Sequence, residues 1–302
     1  MIKISILIPN YNNGKYINET LNSIFDQTCC NLFKIIICDD GSTDNSLEII
    51  NYYISKYPGK IELLINEKNF GLLYSIIKLY EKIETPYFTV LDSDDYWINN
   101  SFLINGINFL ENNTDYSIYG TNTFLKDGNK ITKKYLGDSN IIKNIEFKDS
   151  TTDIVFPHTS STIFRNNFFN QDLMKYLKTK VKSDIEQTYG GDSFRNMCHY
   201  FSGKSHIIYG ITTGVYRINL PTSRWTSKTT INQNILNYIF YIEMYIFSSY
   251  KYKNFFFKCA KHYNSECIKY FKNTKLENVD TCLNELFLNY NKLYNKLFLD
   301  KQ

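Results

Sequence analysis

Apolar positions fall into two regimes along this 302-residue chain. Over the first hundred residues, short and nearly unbroken apolar runs alternate with stretches of helical spacing. The runs at 4–8, 33–38, 61–66 and 87–91 are rich in Ile, Leu and aromatic residues, the pattern of strands buried on both faces. Between them, residues 16–27 place Ile17, Leu21, Ile24 and Phe25 on one helical stripe, and 46–56 and 72–83 also predict helices. Strand–helix alternation repeated three times before a fourth strand predicts a parallel α/β sheet.

The pattern then loosens. A helix is predicted over 101–112, a strand over 116–124, and a hairpin turn at Lys126-Asp127-Gly128-Asn129-Lys130. Residues 133–153 are polar and read as irregular. A short strand is expected over 160–164 and a helix over 168–176. Tyr189-Gly190-Gly191-Asp192 leads into another helix through about 201, and a last strand pair or one long strand covers 207–216. Beyond Pro221 the chain reads as helical, with a soft boundary near Trp225. The expected organisation is therefore a catalytic domain over 1–224, split into halves at 1–125 and 126–224, and a helical region over 225–302. In that region Leu276, Val279, Leu283, Leu286, Tyr290, Leu293 and Leu297 alternate steps of three and four. The seam suits a helix packed on its own domain; the sharper reading is a homodimer contact.

Composition removes several function classes. A hydrophobic share of 43% supports a sizeable core, and a net charge of +4 is too mild for a nucleic-acid binder. Seven cysteines, an odd number without a CxxC pair, indicate free thiols in a reducing cytoplasm. Ile2 to Ile8 opens as a strand and not as a signal peptide. The longest near-apolar stretch, 235–250, is too short for a membrane span and contains Glu243. Lys251, Lys253, Lys258 and Lys261 beside Phe255, Phe256 and Phe257 could rest on an anionic membrane surface, although a core-facing aromatic cluster with a solvated lysine face explains them as well.

Two acidic clusters carry the chemistry. Asp92-Ser93-Asp94-Asp95 follows the strand at 87–91 and places three carboxylates within four residues. Carboxylates this close repel one another unless a cation joins them, and a hard divalent ion is the usual answer. The plainer reading is an acidic turn that caps the next helix. Asp39-Asp40 also ends a strand, so both clusters would line one edge of a parallel sheet, where open α/β sheets bind ligands. Such a pair can accept hydrogen bonds from a nucleobase imide or a ribose, or it can belong to a capped turn.

Ser5-Ile6-Leu7-Ile8-Pro9-Asn10-Tyr11-Asn12, then Asp39-Asp40-Gly41-Ser42-Thr43-Asp44, Asn69-Phe70-Gly71 and Asp92-Ser93-Asp94-Asp95 resemble glycosyltransferase family 2 in order and spacing. The resemblance covers about the first 125 residues. It implies the GT-A fold, a mostly parallel α/β sheet flanked by helices, and transfer of a sugar with inversion from a nucleotide-sugar donor, usually with Mg²⁺ or Mn²⁺. By position, Pro9 and Tyr11 would border the base, and Asp40 with Asp39 beside it would meet a uracil-type edge. Asn69 and Ser93 would belong to the donor site, Asp92 would reach the ribose side, and Asp94 would hold the metal on the diphosphate. Asp192 is the implied general base, with Asp184 and Glu186 as fallbacks. Pro157-His158-Thr159-Ser160-Ser161 resembles an acceptor-side segment, in which His158 contacts acceptor or is a satisfied structural histidine.

Three departures alter details. Leu72-Leu73-Tyr74 stands where many members have Ala-Arg-Asn, leaving Lys68 or Lys78 to meet the diphosphate. Asn219 stands where many members have His as a further metal ligand, and Trp225 is placed to stack on a sugar or to fill a core. The resemblance implies a UDP-sugar donor and a saccharide or lipid-linked acceptor in bacterial surface glycan assembly, at or near the cytoplasmic membrane. A sugar nucleotidyltransferase would need a Gly-rich, basic loop after the first strand, which Pro9 to Gly14 does not supply. An inactive nucleotide-binding module is disfavoured by intact Asp92, Asp94 and Asp192.

Overall fold

The computed structural model describes residues 1–167, 171–183, 185–186, 189, 192–220, 228–273 and 281–299. Its first half follows the alternation: β1 (Ile4–Asn10), α1 (Ile17–Phe25), β2 (Phe33–Asp39), α2 (Ser46–Lys56), β3 (Ile61–Ile65), α3 (Leu72–Tyr80) and β4 (Tyr87–Val90). Then come β5 (Tyr96–Trp97), α4 (Phe102–Asn112), β6 (Tyr116–Asp127), β7 (Lys130–Lys134), β8 (Ile142–Ile145), a 3-10 turn (Thr159–Ser161) and β9 (Thr162–Arg165). The rest comprises α5 (Gln171–Lys178), α6 (Asp192–Tyr200), β10 (Lys204–Ile218), α7 (Thr230–Phe247), α8 (Lys253–Asn273) and α9 (Thr281–Tyr294).

Among the described residues the strands form one sheet, in the order β3-β2-β1-β4-β9-β6-β10-β5, with β7 on β6 and β8 on β10. β3, β2, β1 and β4 are parallel neighbours, and β6 and β10 pair in parallel. β9 runs against both β4 and β6. The sheet is therefore mixed, with most strands in one direction. The expected hairpin is present, with Asp127 opposite Lys130. Two features were not legible: β8 lies inside the stretch that reads as irregular, and β10 is longer than expected, with an irregular register between Ile208 and Gly214.

Successive strand residues face opposite sides of the sheet, and the two sides have separate cores. Ile4, Ile6 and Ile8 of β1, with Ile35 and Ile37 of β2, pack with α1, α2 and α4. Leu7, Ile36, Cys38, Phe88 and Val90 face the other way, into a core shared with α3, α6 and the C-terminal helices. The helices after residue 228 thus share a core with the sheet. The boundary at Trp225 lies outside the described residues. Leu276 and Val279 of the heptad seam do as well. Leu283, Leu286, Tyr290, Leu293 and Leu297 pack on this chain's own core, which supplies the expected intrachain contact. Phe255 and Phe256 are buried, and Phe257 is partly buried against the same core. No described helix is long and apolar enough to cross a membrane.

One buried group makes the fold pH-sensitive. The His199 ring packs on Phe88 and Phe164, and its Nδ1 lies 2.8 Å from the Arg195 carbonyl. Burial lowers its pKa to about 4. The unfolded chain binds this proton near 6.5 and the folded chain only near 4, so stability falls as pH drops through that window. Urea denaturation should show a loss of about 2 kcal/mol between pH 7 and pH 5, and His199→Gln should flatten that slope.

Candidate active site

The registers Asn10↔Asp39, Asp39↔Ile65 and Leu7↔Val90 bring the C-terminal ends of β1, β2, β3 and β4 to one edge. Four loops leave that edge and enclose a cleft of about 280 Å³. Pro9, Asn10, Tyr11 and Asn13 come from the first loop, Asp40 from the second, and Asn69, Leu72 and Ser75 from the third and the start of α3. Asp92, Ser93 and Asp94 come from the fourth, and Tyr216 and Arg217 arrive from the end of β10. Of the donor-site residues expected from the sequence, Pro9, Tyr11, Asp40, Asn69, Asp92, Ser93 and Asp94 thus line one cleft.

Asp39 is a correction. It is fully buried and absent from the cleft wall. Its carboxylate accepts from Asn10 Nδ2 (2.7 Å), Ser42 N (2.9 Å) and Ser42 Oγ (2.7 Å), so it ties the first loop to the second. Asp44 continues the tie by accepting from the Gly14 amide at 2.8 Å. Although burial works to raise it, the Ser46 hydroxyl and the Gly14 and Ser46 amides hold its carboxyl below the usual range.

Asp40 fastens the third loop. Its Oδ1 accepts from Asn66 Nδ2 (2.7 Å) and Phe70 N (2.9 Å), and its Oδ2 accepts from Gly71 N (2.8 Å). A carboxylate offers about four acceptor positions, so Asp40 keeps capacity for one further donor at the cleft wall. Lys78 donates to Asn66 Oδ1 at 2.7 Å and so supports Asp40 from behind; Lys68 lies over the Phe70 ring. Gly41 has φ +74°, and a Cβ there would meet the Lys68 backbone at 2.7 Å, so the second and third loops can touch only across a glycine.

The acidic turn after β4 does not cap a helix. The next helix begins only at Phe102, after β5, with Ser101 as its cap residue. The turn is instead fixed from three sides. Thr20 of α1 donates to the Ser93 and Asp95 carbonyls, and Asn13 Nδ2 donates to Ser93 Oγ at 2.8 Å. Arg217 donates to the Asp94 carbonyl and to Glu19, and its guanidinium lies between the rings of Tyr16 (4.9 Å) and Tyr96 (4.7 Å). Asp95, left without a role by the sequence, is the fully buried joint. Its Oδ1 accepts from Arg217 N at 3.0 Å and its Oδ2 from Ser160 Oγ at 3.2 Å. Burial, then the neighbouring Asp94 and Asp92 charges, push its carboxyl well above the usual range.

Asp94 stands at the wall with its carboxyl raised by burial, against the pull of its own amide and of Arg217. Three carboxylates are thus crowded around one turn, and Arg217, the cation beside them, is already engaged with a carbonyl and Glu19. The side-chain carbonyls of Asn10 and Asn13, buried at the same cleft, have no hydrogen-bond partner among the described residues. This donor set fits a hard divalent cation on Asp94 that completes its sphere with ligand oxygens and water. Among the described residues no three His, Cys, Asp or Glu side chains form a self-sufficient metal site. Asn219 is exposed and donates to Asp127 at 3.0 Å, away from that task.

The segments expected from the sequence to face the acceptor form the 3-10 turn and α6. His158 is the structural histidine of the two expectations: it is buried, its Nδ1 is 2.6 Å from Ser160 Oγ, and its ring stacks on Tyr216 at 4.2 Å. Asp192 is the first residue of α6. Arg195, one turn on, donates to Tyr80 OH at 2.8 Å and to Thr159 Oγ1, which joins α6 to α3 and to the 3-10 turn. Of the fallback acids, Asp184 lies outside the described residues. Glu186 accepts from Lys182 N at 2.8 Å, and a Cβ at Gly71 would meet its Oε1 at 2.9 Å, so it sits by the third loop on the donor side.

The family model for glycosyl transferase family 2 matches residues 5–177. An uncharacterized glycosyltransferase of Haemophilus influenzae is 32% identical over 199 residues, 63% of this chain and 78% of that protein. The poly(ribitol-phosphate) beta-glucosyltransferase of Bacillus spizizenii is 30% identical over 191 residues, covering 62% of this chain and 29% of that protein. Among solved structures, S. aureus TarS 1-349 in complex with UDP-GlcNAc superposes over 98% of this chain and 82% of its own, with TM-score 0.64 and 17% identity. The mannosyltransferase PcManGT of Pyrobaculum calidifontis, in complex with GDP-Man and Mn²⁺, covers 97% of this chain and 82% of its own at TM-score 0.52 and 9% identity. At those identities the likeness is one of fold.

Proposed function

The chain belongs to glycosyltransferase family 2, and from that premise we propose that it transfers a sugar from a UDP-linked donor, with inversion, to a hydroxyl of a surface-glycan acceptor. The observation that carries this reading is the one cleft in which Asp40, Asp92 and Asp94 meet Tyr11 and Asn69 beyond the ends of four parallel strands. The remaining acceptor position of Asp40 suits the imide N–H of uracil. The partnerless Asn10 and Asn13 carbonyls suit hydroxyl donors of ribose or sugar. TarS, which shares the fold, was crystallised with UDP-GlcNAc, and the Bacillus relative is named as a poly(ribitol-phosphate) beta-glucosyltransferase. We place the reaction in the cytoplasm.

In the reaction proposed, an acceptor hydroxyl oxygen attacks the anomeric carbon from the side opposite the diphosphate. The bond from that carbon to the phosphate oxygen breaks, the hydroxyl proton passes to the Asp192 carboxylate, and the nucleoside diphosphate leaves. A divalent cation held by Asp94 would neutralise the charge that develops on the leaving diphosphate. Asp95 and Arg217 keep Asp94 in place, and Tyr216, backed by His158, closes the cleft beside them.

The test is a donor screen. Incubation with UDP-, GDP- and dTDP-sugars and Mn²⁺ should release nucleoside diphosphate from a UDP-sugar faster than from the others. Release from none, together with no nucleotide binding, would remove the reading. Metal-dependent turnover of a GDP- or dTDP-sugar alone would keep the transferase and change the base.

A further inference from the structure

The sequence offers no task for Glu243, which appears there only as a charge that interrupts an apolar stretch. In the structure it is 6% exposed, near the end of α7, in a helix whose other buried residues are hydrophobic. Tyr189 OH donates to its Oε2 and Tyr290 OH to its Oε1, each at 2.5 Å. Lys180 Nζ lies 3.7 Å from the same Oε2, and Tyr176 OH is 2.9 Å from Tyr189 OH. One carboxylate thus joins α5, Tyr189, α7 and α9.

Tyr189 lies three residues before Asp192. Its ring packs edge-on against Phe194, in the first turn of α6, at 5.0 Å. Phe194 in turn packs on Phe247 at 5.5 Å. Phe247 is one helical turn beyond Glu243 and on the same face of α7. The first turn of α6 is therefore held from α7 twice, by an apolar contact and by a directional hydrogen bond. An apolar residue at 243 would serve packing as well as a buried charge does, and often better. What the carboxylate adds is a fixed direction for two phenols.

We propose that Glu243 is a positioning residue: through Tyr189 and Phe194 it fixes the first turn of α6, and the C-terminal helices thereby act on the acceptor side of the reaction. This inference rests on the reading of Asp192 as the base.

The test compares Tyr189→Phe and Glu243→Gln with Tyr238→Phe. The control loses the bond to Asn291 Oδ1 and a longer one to the Tyr290 carbonyl, which also join α7 to α9, and leaves both phenol bonds to the Glu243 carboxylate in place. Turnover is read as nucleoside diphosphate release at saturating donor and acceptor, beside the Kd for UDP with Mn²⁺ and the melting temperature. Tyr189→Phe and Glu243→Gln should lose at least tenfold in turnover with Kd within twofold, whereas Tyr238→Phe keeps turnover within twofold. Should Glu243→Gln fail to fold, Tyr189→Phe, which keeps the ring on Phe194, decides alone. Turnover of Tyr189→Phe within twofold of wild type, or a loss in all three that follows melting temperature, overturns the inference. Asp192→Asn run in parallel separates the two readings. If it is inactive while Tyr189→Phe is normal, only the positioning role fails. If it is fully active, the base assignment fails and takes this inference with it.

Discussion

Asp192→Asn should reduce turnover by about 10² to 10⁴-fold, the usual contribution of a positioned general base, and leave UDP affinity within twofold of wild type. The substitution keeps the size of the side chain and its place at the start of α6. It removes only the capacity to take a proton. The donor-facing residues come from other loops, those after β1, β2, β3 and β4, so donor binding has no reason to change. Steady-state turnover set beside calorimetric titration with UDP separates the two effects. A variant that binds normally and turns over normally would move the base elsewhere, and Glu186, at the third loop, is poorly placed to inherit the role.

Asp94→Ala should act on the opposite side of the balance. Affinity for UDP in Mn²⁺ is expected to fall about 100-fold, equivalent to ~2.7 kcal/mol, and to become nearly independent of the metal. The weaker binding without metal should change little, since Asp40 and Asn69 remain. Crowding of Asp92, Asp94 and Asp95 is the reason to expect this. Removal of one of three mutually repelling carboxylates relaxes the empty site and costs affinity only when a cation must be held. Folding should be retained, because Arg217 reaches the carbonyl of residue 94 and not its side chain. Titrations with and without EDTA provide the check. Equal metal dependence in variant and wild type would take Asp94 out of the metal site.

How far the sequence foresaw this differs along the chain. The first four strands and their helices were legible because both faces of that sheet are covered. Burial on two sides forces unbroken apolar runs, and short loops leave little freedom in between. The helix Ser46–Lys56 has the predicted bounds, and the third strand differs by one residue. Strand β8 was hidden for the opposite reason. Ile142–Ile145 is short, largely exposed and paired only to β10, so its composition resembles a loop and its partner alone gives it register. The irregular register of β10 likewise depends on what lies beside it, and nothing local announces it.

At the site, the carboxylates were found by type and not by task. Asp39 and Asp40 are neighbours, and which of them faces the cleft is decided by Asn10 and Ser42 on one side and by Asn66 and Gly71 on the other. The roles of Asp95 and Arg217 depend on a contact between residues 122 positions apart, which no local pattern encodes. Asn10 lies inside the quoted motif and Asn13 directly after it, yet only their unmatched carbonyls single them out at the cleft.

The central claim is a single direct displacement on a nucleotide-linked sugar in this cleft, and the configuration of the first sugar released tests it most directly. Water can replace the acceptor, so the natural acceptor need not be known. Real-time proton NMR of UDP-α-N-acetylglucosamine hydrolysed by the protein with Mn²⁺ should show the β-anomer appearing first, with the α-anomer growing in only as the free sugar equilibrates. Initial release of the α-anomer would contradict it.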